Sequence, residues 1–133
     1  MSTAEIKFGT DGWRAIIAED YTFANVRACA QGVANYLHDT GEDSSGLVVG
    51  YDTRFGSEHF AAAVAEVVAA NGIRVYLCDR ACPTPVVSYS IIDRHAGGGV
   101  VITASHNPST YNGFKYKPDY GGSASPEVVT ELE

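Results

Sequence analysis

The stretch GLVVGYD, Gly46 to Asp52, decides the fold: a short apolar run between turn residues, too short for a helix and rich in β-branched side chains. It reads as a strand buried on both faces, the kind found inside parallel sheets. From about Ser57 an apolar stripe of Phe60, Val64, Val67 and Val68 follows at helical spacing, and Asn71-Gly72 closes it before a second strand, Ile73 to Leu77. That is a strand, helix, strand unit.

The same alternation continues outward. Before the first strand, Phe23, Val26, Ala30, Val33, Ala34 and Leu37 form one helical face, with Thr22 placed to cap its start and Gly41 to end it. Beyond the second strand, Pro83-Thr84-Pro85 puts Thr84 at a cap and Pro85 in the first turn of a helix running from Val86 to His95. Gly97, Gly98 and Gly99 then lead into a strand from Val100 to Thr103. In Asn112 to Pro118, NGFKYKP, a tight-turn pair is followed by Phe114 and Tyr116 alternating with lysines, which predicts a short edge strand. The fold class expected is α/β: a three-layer α/β/α domain around a four-stranded, mostly parallel, mixed sheet.

Composition bounds the function. A chain of 133 residues fits one domain with a real core, and 45% hydrophobic with 19% charged residues is ordinary for a globular protein. The net charge of −7 argues against nucleic acid or an anionic membrane as partner. Cys29, Cys78 and Cys82 are odd in number and lack CxxC spacing, so they suggest reduced cytosolic thiols rather than a disulfide framework or zinc site. There is no apolar signal core at the start and no run long enough to span a bilayer, so a cytoplasmic location is expected. Ser125-Pro126-Glu127 opens a helix that has barely two turns before Glu133, and from this a domain belonging to something longer is expected. Oligomeric state has no sequence signal.

In doubly wound sheets ligands bind beyond the carboxyl ends of the strands. Three polar segments fall there: DTRFG from Asp52, DRACPTP from Asp79 and TASHNP from Thr103. Ser105 stands among turn formers, so on composition alone it is a turn hydroxyl. It has no GxSxG elbow, and the adjacent His106 is poorly placed to act as a triad base, so a serine hydrolase is disfavoured. A serine that carries a phosphoryl group asks instead for cationic donors, which Arg14, Arg54, Lys115 and Lys117 could supply. In FGTDGWR, Phe8 to Arg14, two glycines flanking Thr10-Asp11 would let the backbone close around an anion, with Arg14 as a fork of donors. Arg54 could face the cleft or pair with Asp52. His38, His59 and His95 read as solvated helix positions, and Trp13, Phe55 and the cysteines as packing residues.

With FGTDGWR, GYDTR, the Thr-Pro before a helix and TASHNPSTYNGFK in this order, the chain resembles the first domain of the α-D-phosphohexomutases, the phosphoglucomutase and phosphomannomutase superfamily. The resemblance implies an enzyme that interconverts hexose 1-phosphate and hexose 6-phosphate through a phosphoserine and a hexose 1,6-bisphosphate. It makes Ser105 the phosphorylated nucleophile and, through its phosphate, a contact for Mg²⁺. His106 and Lys115 match residues beside the phosphoserine, and Arg14 an arginine lining the cleft. Thr103 and Asn107 match loop-shaping positions. The partners implied are a phosphosugar and the remaining domains of a longer enzyme. Ala15 stands where many members have glycine, and the metal-binding DGDxDR loop and the sugar- and phosphate-reading loops of later domains have no match here. The chain alone is therefore expected to be inactive, and which hexose is used is not legible. The rival expectation is a sugar-phosphate-binding α/β module without chemistry.

Overall fold

The computed structural model describes residues 12–104 and 109–119. Five strands and three helices follow in order: β1 (Trp13–Ile16), α1 (Phe23–Thr40), β2 (Leu47–Tyr51), α2 (Ser57–Ala70), β3 (Val75–Leu77), α3 (Thr84–Asp93), β4 (Gly98–Ile102) and β5 (Tyr111–Pro118). They form one sheet in the order β1-β5-β4-β2-β3. β3, β2 and β4 are parallel, whereas β5 runs antiparallel to both β4 and β1. The α/β class and the mixed sheet are as expected; the strand number is five rather than four. The added strand, Trp-Arg-Ala-Ile, is only four residues long and carries a charge, so neither its length nor its apolarity marks it in the sequence.

β5 is also no edge strand. It lies between β1 and β4, with Ile102 opposite Phe114 and Val101 opposite Lys115. Its lysines are buried with it: Lys115 and Lys117 are only 7% and 6% exposed.

The local signals around α1 hold in detail. The Thr22 hydroxyl accepts a bond from the Asn25 N–H, and Gly41 closes the helix at φ 76°, a left-handed geometry a side chain would strain. Its stripe from Val26 to Leu37 joins Phe60, Ala61, Val64 and Val68 of α2, together with Leu47, Val49, Val100, Ile102, Phe114 and Tyr116 of the sheet, in the main core. α3 covers the opposite face through Val87 and Ile91, which meet Val48 and Val101. Pro83, not Thr84, occupies its cap, and Thr84 lies in the first turn without a side-chain capping bond. The helix stops at Asp93, so His95 falls beyond it, in a turn at φ 52°. The helix expected from Ser125 lies outside the described residues.

Candidate active site

The carboxyl ends of β2, β3 and β4 lie side by side at one end of the sheet. Ser105, His106, Asn107 and Pro108 lie outside the described residues, but both flanks of that segment are anchored. Ahead of it, Thr103 and Ala104 are buried, and the Thr103 N–H bonds the Gly113 carbonyl at 3.1 Å.

After it, the start of β5 is clamped from three elements. The Ile17 N–H reaches the Thr110 carbonyl at 2.7 Å, Arg54 Nη1 reaches the Tyr111 carbonyl at 3.2 Å, and the Tyr21 hydroxyl donates to the Gly113 carbonyl at 2.7 Å. Burial, with the charges of Cys29 and Asp52 adding to it, holds the Tyr21 phenol well above its ordinary pKa, so it stays a donor. Asn112 is wholly buried; its amide donates to Ser57 Oγ at 2.9 Å, and its own Oδ1 accepts from the Gly113 N–H. Asn112-Gly113 is thus strand rather than turn.

The network continues to the end of β2. Asp52 Oδ1 accepts from the Arg54 N–H at 2.9 Å and from the Ser57 hydroxyl at 2.8 Å, while Asp52 Oδ2 pairs with Arg54 Nε at 3.3 Å. A side-chain turn of this kind is what Asp-Thr-Arg encodes: the short carboxylate reaches the N–H two residues on. Arg54 is held in the Asp52 pair, as one of its two expected roles, and that pair aims its guanidinium at β5. Asp52 was expected only as a partner for Arg54, and its link through Ser57 to Asn112 has no local sequence signal because both look like ordinary polar turn residues. Only the fold, by bringing positions 52, 57 and 112 together, reveals the network.

The cations share a face. Side chains alternate along a strand, so with Phe114 and Tyr116 in the main core, Lys115 and Lys117 point to the face that carries α3. Arg14 lies on the same face of neighbouring β1, in register with Gly113, and belongs to a strand rather than to a loop. A Cβ on Gly113 would come within 3.1 Å of Arg14 Cγ and 2.5 Å of the Thr103 carbonyl, so glycine lets the arginine stem cross the strand. Gly12 does the same for Lys115, whose Cγ would be 3.0 Å from an added Cβ. Arg14 and Lys115 are thereby neighbours at the sheet end from which Thr103 leads towards Ser105. Asp11 lies outside the described residues. His38 and His59 are exposed on their helices, and Trp13 is buried against Tyr21, but Phe55 is 83% exposed and does not pack as expected.

Residues 5–133 match the family described as phosphoglucomutase/phosphomannomutase, alpha/beta/alpha domain I. The chain belongs to that family. A phosphoglucomutase of Staphylococcus saprophyticus is 38% identical to this domain I over 130 residues, covering 96% of this chain and 23% of the relative. A phosphomannomutase of Mycoplasma pneumoniae is 40% identical over 151 residues, covering 100% and 27%. Among solved structures, a Thermus thermophilus protein assigned as a phosphomannomutase superposes with a TM-score of 0.92 at 38% identity, over 98% of this chain and 30% of that one. This domain I therefore spans about a quarter of the length of the curated relatives it matches. Among its described residues no helix is long and apolar enough to cross a membrane.

Proposed function

We propose that this domain I supplies the nucleophile of a phosphohexomutase that interconverts hexose 1-phosphate and hexose 6-phosphate. The observation that carries the reading is the family match across residues 5–133, joined to a sheet end where Arg14 and Lys115 lie beside the strand that leads into the TASHNP segment. In this reading Ser105 carries a phosphoryl group. Its P–O bond breaks as a sugar hydroxyl forms a new one, the hydroxyl proton leaves to Lys115 or His106, and the resulting hexose 1,6-bisphosphate returns its other phosphoryl group to Ser105. Arg14 and Lys115 offset the charge spread over the phosphoryl oxygens. Arg54, with two of its nitrogens engaged by Asp52 and the Tyr111 carbonyl, fixes the start of β5 and brings a positive charge to the same end of the sheet.

Mg²⁺ is part of the family expectation, but the described residues do not fit it on their own: among them no three His, Cys, Asp or Glu side chains converge. The ion needs several oxygen ligands, which would come from outside this chain, with Ser105 contributing only through its phosphate. The phosphosugar substrate, the further domains and a cytoplasmic location belong to the same reading, supported by the relatives' names and by three free thiols.

Intact-protein mass spectrometry of the full-length protein under turnover conditions is expected to show one added phosphoryl group, absent in Ser105→Ala together with mutase activity. Residues 1–133 alone are expected to show no turnover. A Ser105→Ala variant that keeps its activity, or a wild type that is never modified, overturns the reading; the latter points to a binding module.

A further inference from the structure

The segment after β3 carries an arrangement that phosphoryl transfer does not use. Cys78, just past the strand, and Cys82, four residues on, bring their sulfurs to 3.2 Å, with the Cys82 thiol donating to Cys78 Sγ. Both backbones are tied to β2: the Cys78 N–H bonds the Val49 carbonyl and the Cys82 N–H the Tyr51 carbonyl, each at 2.9 Å. Between those anchors lies Gly50. A Cβ there would meet Cys82 Sγ at 3.2 Å and Cys78 Sγ at 3.6 Å, so the two sulfurs rest on bare backbone. Both cysteines are half-buried, the Arg80 side chain between them is 85% exposed, and Cys29 is buried in the core on the other face.

We propose that Cys78 and Cys82 form a reversible dithiol–disulfide site, closed by a hydroperoxide and reopened by small thiols. One thiolate attacks the peroxide O–O bond to give a sulfenic acid and release hydroxide or alkoxide. The second sulfur then attacks the first and expels its hydroxyl. Two thiols are oxidised, one O–O bond is reduced, and the two thiol protons end on the oxygen products. Bonded sulfurs stand about 2.05 Å apart, so closure asks for an approach of about 1.2 Å between groups already in contact. Burial, then the contact with Cys82, pushes the Cys78 thiol up to about 12, which makes closure faster as pH rises.

Closure fixes a loop. A ring from Cys78 to Cys82 is too short to gain much from restraining the unfolded chain, so its effect is local. Asp79, Arg80 and Ala81 form one wall of a cleft of about 320 Å³ whose other side includes Asp52 and Arg54, the pair that holds the start of β5. The site rests on geometry alone and stands whether or not the chain serves a mutase.

The test is to treat the 133-residue chain with hydrogen peroxide, block remaining thiols with iodoacetamide and digest with trypsin without reduction. Fragments cut after Arg80 are expected to stay joined through Cys78 and Cys82 with the loss of two hydrogens, to separate on adding dithiothreitol, and to leave Cys29 alkylated. Cys78→Ser and Cys82→Ser each remove the link. Sulfinic acid on single cysteines without a link, a link that includes Cys29, or linking at an equal rate in urea-unfolded chain overturns the proposal.

Discussion

The two faces of the sheet are built to different ends. On one, α1 and α2 press a continuous aromatic group onto the strands: Trp13 stacks on Tyr21 at 4.9 Å, Tyr21 meets Phe60 edge-on at 4.8 Å, and Phe23 stacks on Phe60 at 4.5 Å. On the other, one helix covers β2 and β4 through a small cluster of Val48, Val87, Ile91, Ala96 and Val101, and the β5–β1 side carries Lys115, Lys117 and Arg14. β5 serves both at once. Its period of two sends Phe114 and Tyr116 to the packed face and the lysines to the other, so a single strand separates the source of stability from the candidate chemistry. Charges that would be costly in the aromatic core sit instead on the face away from it.

Substitutions on either side of that strand should therefore differ in what they damage. Phe114→Ala removes a wholly buried ring from the main core and is expected to cost about 3–5 kcal/mol of stability in urea unfolding. Arg14→Ala, at an exposed position on the opposite face, is expected to cost less than about 1 kcal/mol, and under the proposed function its effect appears instead in phosphate affinity and turnover of the full-length protein. Equal losses of stability from the two would break the division between faces.

A smaller effect sharpens the comparison, because the second face is lightly loaded but not loose. A Cβ on Gly50 would lie 2.4 Å from Val87 Cγ2, closer than real atoms approach, on the side of β2 where α3 packs. Gly50→Ala is expected to cost about 1–3 kcal/mol through overpacking. Thermal unfolding checks it; a neutral result would show that α3 rides on the sheet with room to shift.

What was legible in the sequence follows the same line. α1 and its two ends could be placed because cap, stripe and terminal glycine each have a local cause, and β2 because an unbroken apolar run between turns has one meaning in an α/β chain. β1 and the central place of β5 were not legible. Both depend on antiparallel pairing between segments about a hundred residues apart, and their charged residues imitate solvated strands. Ser105, Lys115, His106 and Arg14 stood out through motif resemblance, while the Asp52–Ser57–Asn112 network and the approach of Cys78 to Cys82 exist only once the chain is folded. Spacing of four residues carries no signal for paired thiols in a loop.

The smallest expected effect concerns protons on the packed face. Cys29, buried beneath α1, has its thiol raised by burial from an ordinary 9.0 to about 12. Between those values the unfolded chain has released this proton while the folded one still holds it, so the unfolded state binds fewer protons and stability must fall as pH rises. The contribution is complete below pH 9 and is lost by about pH 12; Tyr21, whose phenol is also raised by burial, extends the fall at higher pH. Replacing Cys29 with alanine lowers stability at neutral pH through a small cavity but removes one proton from the linkage. Urea unfolding of both proteins across about pH 8 to 11 should therefore give curves that converge, with the variant flatter by one titrating group. Parallel curves would mean that the Cys29 thiol ionises as freely in the fold as out of it, and that the core under α1 admits water.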